Sequence, residues 1–398
     1  MQSEAQLLRS NGVEVREAVF DNESSTQDGV SGVVQIVLNC AWSWPAYSRV
    51  IELCGLFRPD VVHVHNFWIR LSPSVHAASR KAGVPTVQTL HNFRLLCSNA
   101  LLYRNGGPCE ECIGKTQWRG VAHRCYRDSA LASAAVATMN LVNRSRGTWE
   151  QEVDALIALS EHSMRKFAAG GLPGDRIFVK PNSIEDPGSP MAPSLSKTVL
   201  YAGRLSPEKG VNELLSAWAE GDIGRYGRLI LAGDGPERAA LERIAASLGV
   251  SSSVEFAGHR RQAEIPELIR SARAVVVPSL CYENFPRIVV EAFAHGKPAI
   301  VSDLGALREI VHDGAGMRFH AGDHAALARA LNRMLNDDRL ADRLGDAARA
   351  EYLRKYTPER NFEQLMAIYR FACNRRLQLA ENHTEGHVRP ADSRLRYG

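Results

Sequence analysis

No apolar run in the 398-residue chain approaches the ~20 residues that a membrane-spanning helix needs; the longest candidate, residues 130–142, is alanine-rich and too short. No leader-like pattern opens the sequence, so a cytoplasmic location is expected. Net charge is small, at +4, and bulk charge therefore points away from nucleic acid as a partner. Eight cysteines in that compartment are not expected to form a disulfide framework. One further absence concerns the fold. A doubly wound domain opens with a buried strand, a glycine-rich turn and a helix. This chain opens on Ser3–Arg9, which reads as the end of a first helix, then Gly12 as its cap and Val13-Glu14-Val15 as a strand. The first strand and its loop are missing from this reading.

What remains is an ordinary globular composition, 45% hydrophobic and 23% charged, long enough for two domains with their own cores. The charge is unevenly spread. Residues 113–146 carry Lys115, Arg119, Arg124, Arg127, Arg144 and Arg146 against Asp128 alone, a surface suited to an anionic partner or simply a solvated face. Strand and helix signals alternate in both halves, which predicts parallel α/β sheets. Strands are expected at 60–65, 84–91 and 154–160, with helices at 74–82 and 161–169. Residues 181–197 hold four prolines and four serines without periodicity and read as a linker. A second series then follows at 198–203, 229–233, 254–256, 274–277 and 298–301. The expected domains are therefore 1–180, containing a Cys-rich basic insertion at 94–128, and 198–355. A helix at 356–374 is expected to pack back on the first domain, and 375–398 is expected to be a disordered tail.

Two stretches carry chemistry. In Gly203-Arg204-Leu205-Ser206-Pro207-Glu208-Lys209-Gly210 a strand ends at Gly203, and Ser206-Pro207 has the form of a cap and first helical residue. Lys209 then falls in a first turn, where the helix dipole disfavours a cation. A bound anion such as phosphate, met by Arg204, Lys209 and free N–H groups, removes that conflict; a surface lysine compensated by Glu208 is the plain alternative. In Cys281-Tyr282-Glu283-Asn284-Phe285-Pro286, Glu283 follows an apolar strand at its carboxyl end, where open α/β sheets bind ligands. Glu291 lies about one and a half turns inside the next helix, among apolar neighbours. Carboxylates there suit sugar hydroxyls, although either one alone also fits an exposed helix face.

The pair Glu283…Glu291 resembles the E-x7-E motif of retaining glycosyltransferases of family 4, proteins of the two-domain α/β GT-B fold in which Rossmann-like parallel-sheet domains face each other across a cleft. Residues 203–210 resemble that family's G-R-L-x-x-x-K-G segment, and Ala232-Gly233-Asp234-Gly235-Pro236 its A-G-x-G-P turn. Residues 57–65 and Thr89-Leu90-His91-Asn92 are similar to its amino-terminal landmarks. The resemblance spans about residues 4–372 and implies transfer of a sugar from a nucleotide-sugar donor to a saccharide or lipid-linked acceptor. It implies that Arg204 and Lys209 bind the diphosphate, Glu291 the ribose and Glu283 the donor sugar. It places the backbone at Asn284, Phe285 and Pro286 against sugar and phosphate, and Gly233, Asp234, Gly235, Gly258 and His259 around the nucleoside. His91 would meet the sugar near the reacting carbon, and His65 and Trp68 would lie on the acceptor side. Asp-x-Asp occurs nowhere in the chain, in keeping with a donor site that needs no metal cofactor. The chain departs from the family at Glu283-Asn284-Phe285-Pro286, where E-G-F-G is common, and at its missing first strand.

Cys97, Cys109, Cys112 and Cys125 follow C-x11-C-x2-C-x12-C. The central C-x2-C resembles half of a structural zinc site, whereas buried small hydrophobes are the alternative. Beside them Trp118 and the basic stretch offer contact with anionic headgroups at the inner face of a cell membrane. Two rival functions stay open at this level: an epimerase or phosphorylase on the same fold, and a truncated non-catalytic paralogue docked on a membrane complex.

Overall fold

The computed structural model describes residues 2–20, 39–68, 71–312 and 314–385. In chain order its strands are β1 (Val62–Val64), β2 (Thr86–Thr89), β3 (Tyr103–Arg104), β4 (Gly107–Pro108), β5 (Ala155–Ala158), β6 (Ile177–Val179), β7 (Thr198–Ala202), β8 (Arg228–Ala232), β9 (Val254–Gly258), β10 (Ala274–Val277), β11 (Ala299–Ser302) and β12 (Gly316–Phe319). Two parallel sheets form, ordered β1-β2-β5-β6 and β12-β11-β10-β7-β8-β9, and β3-β4 is a small separate hairpin. Every residue of β5, β10 and β11 is buried, as a parallel sheet covered by helices on both faces requires. The α/β class read from the sequence stands.

In the larger sheet, β8 and β9 extend to one side of β7, and β10, β11 and β12 to the other. The chain thus reverses direction between β7 and β10, and the crevice at their carboxyl ends is where such sheets take ligands. The edge strands β6 and β12 have no sequence counterpart above. Gly316-Met317-Arg318-Phe319 leaves Arg318 exposed and buries Phe319, so it shows no continuous apolar run.

Two expectations are corrected. Val13-Glu14-Val15 pairs with no strand; Val13 and Val15 instead pack beside Leu8 against the first sheet. The region from 375 does not leave the fold there, because one helix runs continuously over Pro358–Glu385. Its buried stripe, Leu365, Ile368 and Ala372, lies within the 356–374 stretch expected to pack on the first domain and joins Val87, Ala155 and Ile157 of the first sheet. Arg376 extends the attachment through a 2.6 Å contact with the carboxylate of buried Asp154. The end of the expected tail, 386–398, lies outside the described residues. Residues 181–197 contain no strand and only a short turn at Pro193–Leu195, yet they are anchored, since the Ile184 amide donates to the Tyr356 carbonyl at 3.1 Å.

Among the described residues no helix is long and apolar enough to cross a membrane. Leu365 is fully buried between the carboxy-terminal helix and the first sheet. Leu365→Ala is expected to destabilise the amino-terminal unit by about 2–5 kcal/mol, read as an earlier urea transition for that unit.

Candidate functional site

The loops after β7 and β10 interlock. Pro207–Lys209 forms a single tight turn that ends at Gly210, whose φ is +66°. A Cβ there would sit 2.1 Å from the Pro278 carbonyl oxygen, so only glycine lets the loops approach. The Leu280 amide donates to the Glu208 carbonyl at 2.9 Å across the same gap. Lys209 Nζ is thereby brought 2.7 Å from Glu283 Oε1, which also accepts from the Ser279 hydroxyl at 2.6 Å. Burial pulls the Lys209 pKa down, but the Glu283 carboxylate outweighs it and leaves the pKa above its ordinary value. The expected helix start at Ser206-Pro207 is instead this short turn, with the α-helix beginning at Val211, and Lys209 is paired by Glu283, with Glu208 adding a smaller favourable charge. Glu208 accepts from the Ser206 hydroxyl at 2.6 Å, so Ser206 sits at the cap position without a side-chain bond to the backbone. Arg204 is exposed at the rim.

Glu291 is the second carboxylate, carried on the helix Arg287–Ala294 and 8% exposed. Its Oε1 accepts from Arg287 Nε at 2.7 Å and Gln262 Nε2 at 3.0 Å. Both bonds fall on one oxygen, Oε1. The turns after β8 and β9 close the same end of the sheet. Gly233 has φ +154° and a Cβ there would lie 1.8 Å from the Gly203 carbonyl oxygen; at Gly235 it would lie 2.2 Å from that of Leu205. The Gly233 amide donates to the Gly258 carbonyl at 2.8 Å. Asp234 and His259 are exposed beside these turns, and Asp234 pairs with Arg238 at 3.6 Å.

The facing wall comes from the ends of β1 and β2. His65 Nδ1 lies 2.9 Å from His91 Nε2, and His65 Nε2 lies 3.2 Å from Glu4 Oε1. His63 is held between the Tyr369 hydroxyl and the Thr89 hydroxyl, each at 2.8 Å. Glu4 Oε2 accepts from buried Lys180 at 2.8 Å. Burial pushes the Glu4 carboxyl upward, but His65, Lys180 and His63 hold its pKa well below the usual range. Burial lowers His63 to about 3 and, with His65 beside it, His91 to about 4. Glu4, His63 and His65 have ligand atoms within 4.8 Å of one another, and Lys180 already neutralises the carboxylate of that group.

Asn284 joins the two walls. Its Nδ2 donates to the Leu90 carbonyl at 2.8 Å, and its carbonyl accepts from the Ser160 hydroxyl at 3.3 Å. Glu283 and His91 are each adjacent in sequence to one partner of this contact, so the geometry brings the two together across the cleft. Phe285 packs on the larger domain's core beside buried Pro286. Trp68 packs against the insertion: the Arg94 guanidinium lies 4.7 Å from its ring, and its Nε1 donates to the Tyr126 hydroxyl at 3.3 Å. Several contributors carry no sequence signal. Glu309 accepts from the Glu161 and His162 amides, both at 2.9 Å, capping a helix of the other domain. Ser279, Gln262, and the Tyr282–Glu110 contact at 2.6 Å are equally invisible to spacing, because their partners are distant in the chain.

Two Rossmann-like parallel sheets joined by a linker, with a polar crevice at the switch point of the second, define a GT-B architecture. Solved structures with this arrangement include sucrose-phosphate synthase of Thermosynechococcus elongatus, at TM-score 0.66 and 18% identity over 93% of this chain and 91% of that one. Anabaena Alr3699/HepE in complex with UDP matches at TM-score 0.58 and 22% identity, covering 86% and 82%. The particular family follows from sequence. Residues 1–183 match the "Glycosyl transferase 4-like domain" and residues 183–351 match "Glycosyl transferases group 1"; with both halves accounted for, the chain belongs to the glycosyltransferases. A curated relative, phosphatidyl-myo-inositol mannosyltransferase of Mycobacterium leprae, is 32% identical over 231 residues, 56% of this chain. The chain spans about three fifths of that relative's length and 45% of two others.

The buried histidines give the folded chain a pH dependence. In the unfolded chain each ring takes up a proton near pH 6.5, whereas folded His63 and His91 do so only near 3 and 4. Below about pH 6.5 the unfolded state binds more protons, and stability falls with pH by up to about 1.4 kcal/mol per unit per ring. Melting temperatures are expected to fall in order from about pH 7 through 6 to 5; a flat series would contradict neutral buried rings.

Proposed function

We propose that the chain transfers a sugar from a nucleotide-diphosphate-sugar donor to a saccharide or lipid-linked saccharide acceptor, with retention at the anomeric carbon. The observation that carries this reading is the Lys209–Glu283 pair at the switch point, facing His91 through Asn284. A diphosphate entering the crevice offers Lys209 a second anion, and Arg204 stands exposed at the same loop to share it. Glu283, released from Lys209, can then accept hydrogen bonds from the donor sugar's hydroxyls. Glu291, with Oε2 unclaimed by Arg287 and Gln262, is placed to accept from a ribose hydroxyl. The glycines at 203, 233, 235 and 258 let backbone approach the nucleoside without a Cβ in the way. The Anabaena neighbour was solved with UDP and with UDP-glucose, which favours a uridine diphosphate donor here.

In this mechanism the bond between the anomeric carbon and the diphosphate oxygen breaks as the acceptor oxygen bonds to the same face. The acceptor's hydroxyl proton passes to the departing phosphate oxygen. Arg204 and Lys209 neutralise the charge that grows on the leaving diphosphate, the work that a bound cation does in other transferases. His91, neutral because of its burial, offers a hydrogen bond to the sugar rather than a full charge. Glu283 positions the sugar. On the acceptor side, exposed Lys115, Arg119, Arg124 and Arg127 with exposed Trp118 suit the pyrophosphate of a lipid-linked acceptor or anionic headgroups at a membrane face.

Equilibrium binding of UDP, GDP and ADP tests the donor site; a chain that bound no nucleoside diphosphate would sink the proposal. Glu291→Ala is expected to weaken the preferred nucleotide by about tenfold or more, the worth of one hydrogen bond to a charged group. Lys209→Met is expected to lower kcat by roughly two to three orders of magnitude while the thermal transition without nucleotide moves little.

A further inference from the structure

The insertion at 94–128 buries Leu95, Leu96 and Leu102 in the core of the first domain, but contains little regular secondary structure. Its regular structure is a three-residue turn (Phe93–Leu95), the two-residue strands β3 and β4, and a five-residue helix (Trp118–Ala122). Its backbone is nonetheless unusual. Ala100, Leu102, Asn105, Arg124, Arg127 and Asp128 all have positive φ, between 50° and 67°. Residues with a Cβ reach that region at a cost of about 1–2 kcal/mol each, and stay there only when their surroundings enforce it. Something other than secondary structure must supply that enforcement.

Three chain segments of the insertion meet at one point. Cys97 follows the turn Phe93–Leu95, Cys109 follows β4, Cys112 sits in the turn after it, and Cys125 follows the short helix. All four line a single cavity of about 20 Å³, which is large enough for one water or one ion and little more. All four are free thiols. Four thiols from three segments, two of them in one Cys-x2-Cys stretch, suit a tetrahedral ion around one centre, whereas disulfides would need two opposed pairs. Arg104, Glu111, Arg119 and His123 border the same cavity. No three of the sulfurs lie within 4.8 Å of one another, so capture of an ion draws them inward to the ~2.3 Å Zn–S bonds of a filled site.

We propose that Cys97, Cys109, Cys112 and Cys125 hold a structural zinc ion that clamps this insertion and thereby presents Glu110 to the donor-side loop. Glu110 lies between the two closest ligands, in Cys109-Glu110-Glu111-Cys112. Its Oε1 accepts from the Tyr282 hydroxyl at 2.6 Å and from Lys166 Nζ at 2.5 Å. Tyr282 immediately precedes Glu283. The clamp thus fixes one half of a clasp across the cleft, next to the carboxylate that pairs with Lys209. The metal site stands independently of the transferase reading, because metal content is measured without substrate.

The test is metal analysis of the full chain purified without chelator, where about one zinc per chain is expected. X-ray absorption should show four sulfur neighbours at about 2.3 Å. The double variant Cys109→Ser/Cys112→Ser should lose the metal, while His123→Ala and Tyr282→Phe keep it. Because the cysteine variants can fail to fold, a second measurement uses the wild-type chain. Chelator should strip the zinc, lower the melting temperature and open 94–128 to proteolysis, with all three restored by added zinc. Folded protein without metal, stoichiometric iron in its place, or disulfides among these cysteines by mass would each overturn the proposal.

Discussion

A lysine and a glutamate that are 74 residues apart in sequence meet at 2.7 Å at the end of the larger sheet, and the rest of the site is arranged around that ion pair. Neither group is far in the interior; their side chains are 24% and 15% exposed. Desolvating a pair to this degree adds little net stability, so its value lies in placement. It fixes the loop after β7 against the loop after β10. It also holds two opposite charges at hydrogen-bonding distance at the mouth of the crevice. Gly210 is the steric condition for this, since any side chain would drive into the Pro278 carbonyl.

The contacts across the cleft are few and polar: Asn284 to Leu90, Glu309 to the start of the helix Glu161–Ala169, and Tyr282 to Glu110. An interface of that kind resembles a transient protein–protein contact more than a core. Each contact replaces hydrogen bonds to water with hydrogen bonds to protein at small net gain.

The sequence made visible what depends on local spacing. The buried strands β10 and β11 showed as apolar runs, and Glu283 and Glu291 showed by their separation around Pro286. Gly203, Gly233 and Gly235 stood out through the family segments they belong to, and at Gly233 and Gly235 the packed backbone shows why only glycine fits. Contacts made by folding alone were invisible. Nothing near Lys180 announces Glu4, which it meets at 2.8 Å, and nothing near His63 announces Tyr369. Only the end of the carboxy-terminal helix, from 375, read as a tail, because its arginines are many and its apolar residues few. One of those arginines, Arg376, spends its charge on a buried aspartate rather than on solvent. Val13 and Val15 misled in the opposite sense, with strand-forming residues used for packing instead of pairing.

The carboxy-terminal helix also has a bearing on assembly order. Leu365, Ile368 and Ala372 complete the apolar face of the first sheet, Tyr369 satisfies His63, and Asn361 shares Lys180 with Glu4. The amino-terminal half therefore cannot finish burying its sheet until the carboxy-terminal helix has left the ribosome. The larger domain, whose core is drawn from residues 199–356, is ready first. The half that is made first is finished last, and it waits with an exposed apolar face for as long as translation of some 180 residues takes at about 5–20 residues per second.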